Sequence, residues 1–189
     1  MKNLESAAGQ PLQSEDERGG KYLTFFLAGE EYGLEILKVH EIIGVIPITP
    51  VPRTPAHIRG VVNLRGKVIP VIDLRLKFGM EPKEQTEETC IIVVQAQQRE
   101  IGVVVDKVSE VLDISSGDIE DSPCFGSDVQ TDYILGIGKS EGKVKLLLDI
   151  EKALSHQDVT DLRQAAEGSS ADEASPPPIM PEELVEAHA

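Results

Sequence analysis

Two stretches of this 189-residue chain are written twice. Gly33-x4-Lys38-Val39-x-Glu41 returns 69 positions later as Gly102-x4-Lys107-Val108-x-Glu110. Gly66-Lys67-Val68-x3-Ile72-Asp73-Leu74 returns 76 positions later as Gly142-Lys143-Val144-x3-Leu148-Asp149-Ile150, with Gly60 over Gly136. Two matches in the same order and at similar offsets indicate an internal duplication. Whatever the first half builds, the second half builds again.

Each half alternates short Val/Ile-rich runs with Gly, Pro and Asp, the pattern of short antiparallel strands. The first half reads as strands Lys21–Leu27, Tyr32–Ile36, Val39–Ile46, Ile58–Leu64 and Lys67–Ile72, with a hairpin across Arg65–Gly66. A proline-rich crossing (Pro47, Pro50, Pro52, Pro55) follows the third of these. The second half reads as Thr89–Gln95, Glu100–Val105, Val108–Ile114, Tyr133–Gly138 and Lys143–Leu148. Inside the folded part only Leu74–Phe78 and Ile150–Gln164 look helical, each behind an aspartate, Asp73 or Asp149, that can accept the free N–H groups of a first turn. Aromatic residues are 4% of the chain and Trp is absent, so the core is built from Val, Ile and Leu, which favours strands.

Five short strands with tight turns lose their exposed edges by curling into a small barrel. Two such barrels packed together share a larger core than either owns, which a unit of ~65 residues needs. The expectation is a mainly β fold: a pseudo-duplicated pair of five-stranded β-barrels with a groove between them. The first spans about 21–85 and the second about 86–155, with boundaries that can intertwine.

Net charge is −15. That excludes a nucleic-acid backbone or an anionic membrane surface as the main partner, since both are held by Lys and Arg. Residues 156–189 carry eight acids against Arg163 alone, together with Ser169–Ser170 and Pro176–Pro177–Pro178, and read as an acidic, partly disordered tail. That tail either continues as a helix through Ala166 and then dissolves or rebinds weakly through Pro181–Ala187, and a solvated extension with no specific partner is the preferred reading. Residues 1–20 read as a flexible N-terminal segment. Lys2 is followed by no apolar run, and Glu15, Asp16 and Glu17 stand where one would be, so no secretory signal is expected. With two cysteines, Cys90 and Cys124, far apart and read as reduced thiols, the chain is expected to be cytoplasmic.

Chemistry finds no foothold in the motifs. A phosphate loop needs Gly-x4-Gly-Lys-Ser/Thr. Before Gly138-Lys139-Ser140 the required glycine is Tyr133, and after Gly142-Lys143 stands Val144, so a hairpin turn is the better reading. His40, His57, His156 and His188 are not at metal-ligand spacing from one another or from a cysteine. No catalytic constellation, metal set or cofactor motif is expected, and the chain reads as non-enzymatic.

The unusual segment is Gly33–Ile46, where strict alternation breaks at Ile36–Leu37 and at Ile42–Ile43. Both faces therefore carry apolar groups. One face fills a barrel, and the other exposes Val39 or Ile42 unless a partner or the second barrel covers it.

At this point the residues resemble a known family. EEYGLEILKVHEI, RTPAHIRGVVNLRGKVIPVIDLRLKFG, REIGVVVDKVSEVL and DYILGIGKSEGKVKLLLDIEKAL are similar to the CheW family of chemotaxis coupling proteins. The similarity runs from about Tyr22 to Leu154, and GVxNLRGxxxPVxDLR is its specific motif. The resemblance implies two SH3-like barrels and a stand-alone adaptor in two-component signal transduction. Its implied partners are the cytoplasmic hairpin tip of a chemoreceptor, lying in the groove, and the regulatory domain of a CheA-type histidine kinase, met by the outer faces. By position it implies Val39, Ile42 and Gly60 as receptor-binding residues and Glu41–Arg65 as an ion pair that locks the Asn63–Lys67 turn. Phe125, after Pro123, is assigned to kinase contact. The alternative is the same scaffold serving a different receptor–kinase pathway, such as surface motility.

Overall fold

A computed structural model describes residues 18–121, 132–140, 142–154, 158 and 160. Along the chain it has β1 (Gly20–Leu27), β2 (Glu30–Glu35), β3 (Val39–Gly44), β4 (Ile58–Leu64), β5 (Lys67–Asp73), α1 (Leu74–Lys77), β6 (Cys90–Ala96), β7 (Arg99–Val105), β8 (Lys107–Ile114), β9 (Ile119–Glu120), β10 (Ile134–Ser140), β11 (Lys143–Leu148) and α2 (Ile150–Ala153). The fold is mainly β, in two sheets, with helices of a single turn.

One sheet has the order β8-β1-β2-β11-β10-β9 and the other β3-β6-β7-β5-β4. These are the same arrangement twice. β1 and β2 take the places of β6 and β7, β8 that of β3, and β10 and β11 those of β4 and β5. Even the parallel step recurs, between β2 and β11 and between β7 and β5. The repeat and the sheets nevertheless divide the chain differently. The sequence repeat is cut near residue 85, whereas each sheet takes its central hairpin from one half and its remaining strands, four in the first sheet and three in the second, from the other.

The chain leaving each edge strand curls back onto the opposite edge of its own sheet. After β3, Thr49 N–H donates to Val61 O at 2.8 Å and Val61 N–H returns to Thr49 O at 2.9 Å. After β8, the short β9 pairs with β10 in the corresponding place. β3 therefore ends at Gly44, two residues before the expected Ile46, because Pro47 and Pro50 belong to the crossing and cannot donate to a ladder.

Asp73 Oδ1 accepts from the backbone N–H of Arg75 (3.0 Å) and Leu76 (3.3 Å). Asp149 Oδ1 accepts from Glu151 (3.0 Å) and Lys152 (3.2 Å). Both are the expected helix caps. The expected helix Ile150–Gln164 is corrected: α2 ends at Ala153, and helical backbone recurs at Asp158 and Thr160. Leu154 stops it, because its side chain is fully buried and its carbonyl accepts from Gln97 Nε2 at 3.0 Å.

The largest apolar layer lies between the sheets and draws on both: Leu23, Phe25, Leu27 and Leu34 from one, Ile92, Val94, Ile101 and Val103 from the other. Each sheet also encloses a smaller core of its own, around Val71, Ile91 and Val93 in one and around Tyr22, Ile114 and Leu147 in the other. β6 is thus buried on both faces, Ile91 and Val93 on one and Ile92 and Val94 on the other. That explains its unbroken apolar run.

Two ion pairs tie each helix to the opposite half. Arg75 of α1 reaches Asp106 between β7 and β8 (2.6 Å), and Lys38 before β3 reaches Glu151 of α2 (2.5 Å). A third pair is hidden. Lys145 of β11 stands where the other sheet has the buried Ile69. Its ammonium lies 3.4 Å from Glu31, and both side chains are almost wholly buried. Removing one partner of such a pair strands a buried charge. Lys145→Met is accordingly expected to lower unfolding free energy by about 3 kcal/mol, and Lys145→Met with Glu31→Leu to recover most of that loss. Urea denaturation of the three proteins checks it; a single and a double variant of equal stability would refute the coupling.

Candidate functional site

The site begins with an irregularity in β3. Val39 pairs with Val94, but the next partners are Glu41 with Val93 and Ile42 with Ile92. One extra residue, His40, is therefore inserted in β3, a bulge that reverses the alternation of side chains beyond it. In a regular strand Val39 and Ile42 would face opposite ways. With the bulge both stand on the face of Val94 and Ile92, the side of the layer between the sheets, while Glu41 and Ile43 turn to the other face. This resolves the broken alternation of the sequence: the second apolar face is not an error in the pattern but the result of one added residue.

Val39 is half-buried against the central layer, and Ile42 beyond it remains 43% exposed. The second sheet therefore covers this face incompletely. Just before it, Leu37 in the 3-10 turn Ile36–Lys38 is exposed as well. The neighbouring Lys38 is held as a cation, its pKa raised first by its hydrogen bond to Glu151 and further by the charges of Glu151, Glu35 and Asp149.

Glu41, turned away by the bulge, meets the β4–β5 hairpin. Arg65 Nη2 donates to Glu41 Oε2 at 3.0 Å. Arg65 and Gly66 both have positive φ (53° and 88°), the geometry of a two-residue hairpin turn with right-handed twist. Asn63 Oδ1 stabilises it by accepting from Gly66 N–H at 2.9 Å. Because Arg65 is exposed, its pair with Glu41 fixes direction more than it adds stability.

Gly60 lies in β4 against the returning chain. Its φ is +134°, and a Cβ there would collide with the carbonyl oxygen of Thr49. A side chain at this position would break the two Thr49–Val61 hydrogen bonds that curl the sheet. The structure thus gathers Val39, Ile42, Glu41 and Arg65 at one edge of a sheet and gives Gly60 the crossing behind it. Phe125 lies outside the described residues.

The sequence reading missed the second copy of this edge. β8 also carries one extra residue, between Val108, opposite Phe25, and Val111, opposite Leu23. Val108 packs on the central layer and Val111 is 48% exposed, close to the value of Ile42. Adding the repeat offset of 69 to Val39 and Ile42 gives these two residues, so the signal was present in the duplication. The surroundings of the two bulges differ: Thr24 Oγ1 donates to Glu110 O (3.0 Å) and accepts from Glu110 N–H (3.2 Å), whereas the equivalent acid in β3, Glu41, pairs with Arg65.

With this geometry in place the comparisons with known proteins can be read. The model of the CheW-like domain matches residues 21–158. The chain belongs to the CheW family. It is 43% identical to the chemotaxis protein CheW of Klebsiella aerogenes over 141 residues, 75% of this chain and 85% of that protein. It is 36% identical to the chemotaxis protein CheW of Helicobacter pylori over 150 residues, 79% and 90% of the two chains. Among solved structures it is similar to the scaffolding protein TtCheW from Thermoanaerobacter tengcongensis, with a TM-score of 0.68 at 36% identity, covering 74% of this chain and 95% of that one. The two-sheet, mainly β architecture is that of a CheW structure. Among the described residues no helix is long and apolar enough to cross a membrane.

The close approach at Gly60 makes a direct prediction. Gly60→Val is expected to cost about 2 kcal/mol or more. Gly44→Ala, at a position with open space, is expected to stay within about 0.5 kcal/mol of the parent. Thermal or urea unfolding of both variants checks it, and a stable Gly60→Val would contradict the account of the crossing.

Proposed function

We propose that this CheW-family chain is a non-enzymatic, cytoplasmic adaptor that couples the cytoplasmic hairpin tip of a chemoreceptor to a CheA-type histidine kinase. The observation that carries the reading is the bulged edge of β3. It sets Val39 and the exposed Ile42 side by side on one face, with the Glu41–Arg65 pair directing the neighbouring hairpin. An exposed apolar strip at a sheet edge, with a fixed ion pair on the other face of the same strand, suits an amphipathic helical tip that presents apolar anchors at one-turn spacing.

In this reading Val39 and Ile42 receive the receptor tip. Glu41 and Arg65 fix its orientation through the Asn63–Gly66 turn. Gly60 acts from behind, by letting the Thr49 crossing approach β4 and so setting the shape of the edge. Phe125 contacts the kinase regulatory domain. The adaptor carries out no bond-making step. It transmits a signal to the extent that its contacts differ between the receptor's signalling states, since a ligand can shift an equilibrium only by its differential affinity.

Ile42→Asp tests the assignment at an exposed position, where a polar group does not disturb the core. Capture of a receptor cytoplasmic fragment is expected to fall at least tenfold, while capture of the kinase regulatory domain stays unchanged. A parallel Val39→Asp variant, checked for folding by circular dichroism, is expected to behave alike. Receptor capture unaffected by both substitutions would remove β3 from the receptor interface. Failure of the folded parent to capture either partner would refute the chemotaxis adaptor itself.

A further inference from the structure

We infer that the acidic C-terminal segment of this chain, Ile179–Ala187, docks on the bulged β3 edge and competes there with the partner that the edge receives. The inference deepens the functional reading above and rests on it for the identity of that partner.

Three observations converge. The first is the root of the segment. Asp158 is buried, with its two carboxylate oxygens 2.6 Å from His57 Nε2 and 2.5 Å from Lys77 Nζ. The chain beyond is thus fastened to the folded body beside the start of β4, the strand that ends at the Arg65 hairpin.

The second is charge. Between Pro47 and Met80 stand six bases and one acid, in a protein whose net charge is −15. Beyond Asp158 stand seven acids and Arg163 alone. Within that cationic stretch Arg65 and Lys67 are exposed, with carboxylate partners on one side only, Glu41 for the first and Glu100 for the second.

The third is the pattern of the segment. Ile179-Met180-Pro181-Glu182-Glu183-Leu184-Val185-Glu186-Ala187 places a proline and two acids where a helix starts. Leu184 and Val185 then supply adjacent apolar groups, with Met180 one turn before Leu184 and Glu182, Glu183 and Glu186 on the other side. Apolar groups flanked by carboxylates suit an edge strand that exposes Ile42 on one face and carries the Glu41–Arg65 pair on the other. The occupant has the same chemistry as an amphipathic partner helix.

Reach is sufficient. Ile179 follows Asp158 by 21 residues, and the coil-state span for that number of residues is about 25 Å, more than the ~14 Å radius of gyration expected for a body of this size. A tether of this kind gives an effective concentration in the millimolar range. Even an intrinsic dissociation constant of about 0.1–0.3 mM would then occupy the edge most of the time and weaken a competing partner about three- to tenfold.

The test uses the full chain and a variant carrying Leu184→Asp with Val185→Asp. Backbone amide resonances are recorded without partner at low and high salt, and affinity for a receptor cytoplasmic fragment is then titrated. Docking at the edge predicts that the double substitution moves the amides of residues 39–44 and 63–66 at low salt. It also predicts that affinity for the fragment rises three- to tenfold. Amides at 39–44 and 63–66 that coincide in parent and variant overturn the inference, whatever the fragment does. Amides that move while neither protein binds the fragment support the intramolecular contact and refute the receptor reading of the edge.

Discussion

The apolar layer between the two sheets is the constraint on which the rest of this protein depends. A unit of ~65 residues buries too small a share of its surface to be comfortably stable alone. Here each sheet borrows its central hairpin from the other half of the chain, β1–β2 in one and β6–β7 in the other. The exchanged hairpins then present Leu23, Phe25 and Leu34 against Ile92, Val94 and Val103. The two halves are therefore joined by strand pairing as well as by side-chain contact, and the ion pairs Arg75–Asp106 and Lys38–Glu151 repeat the exchange at the surface.

On that frame one inserted residue decides which face of the β3 edge is apolar. Without the bulge at His40, Val39 and Ile42 would lie on opposite faces of β3, and neither face would offer an apolar strip. The duplication kept the bulge in both halves and then let the surroundings diverge. In β8 the Thr24 hydroxyl bonds both the carbonyl and the N–H of Glu110. In β3 the equivalent acid, Glu41, is committed to Arg65. The interiors diverged too, Ile69 in one sheet answering to the buried Lys145 in the other. Two copies of one architecture thus carry different edges.

Much of this was legible before any coordinates. The repeat offsets named the equivalent strands, the Arg65–Gly66 and Gly142 turns marked the hairpins, and Asp73 and Asp149 announced their helices. The apolar composition identified the fold as mainly β. The GKS-like stretch at Gly138–Ser140 forms the end of β10 before a hairpin turn, as its missing glycine implied. The length of the last helix was misjudged because local propensity continues past Leu154, whereas a tertiary hydrogen bond from Gln97 stops it. Val108 and Val111 escaped notice although the offset pointed to them, because their own segment shows no break as conspicuous as Ile42–Ile43.

The sequence by itself determined which segments are strands, that there are two equivalent sets of them, and that their turns and caps fall where Gly, Asn and Asp stand. These are local properties, set by backbone sterics, side-chain period and hydrogen bonding over a few residues. Only the tertiary structure decided which hairpin joins which sheet, and where a strand takes an extra residue. It also decided that Asp158 is part of the folded body. Strand exchange and register depend on burying both faces of β6 and β7 at once, and that requirement exists only when residues far apart in the chain meet.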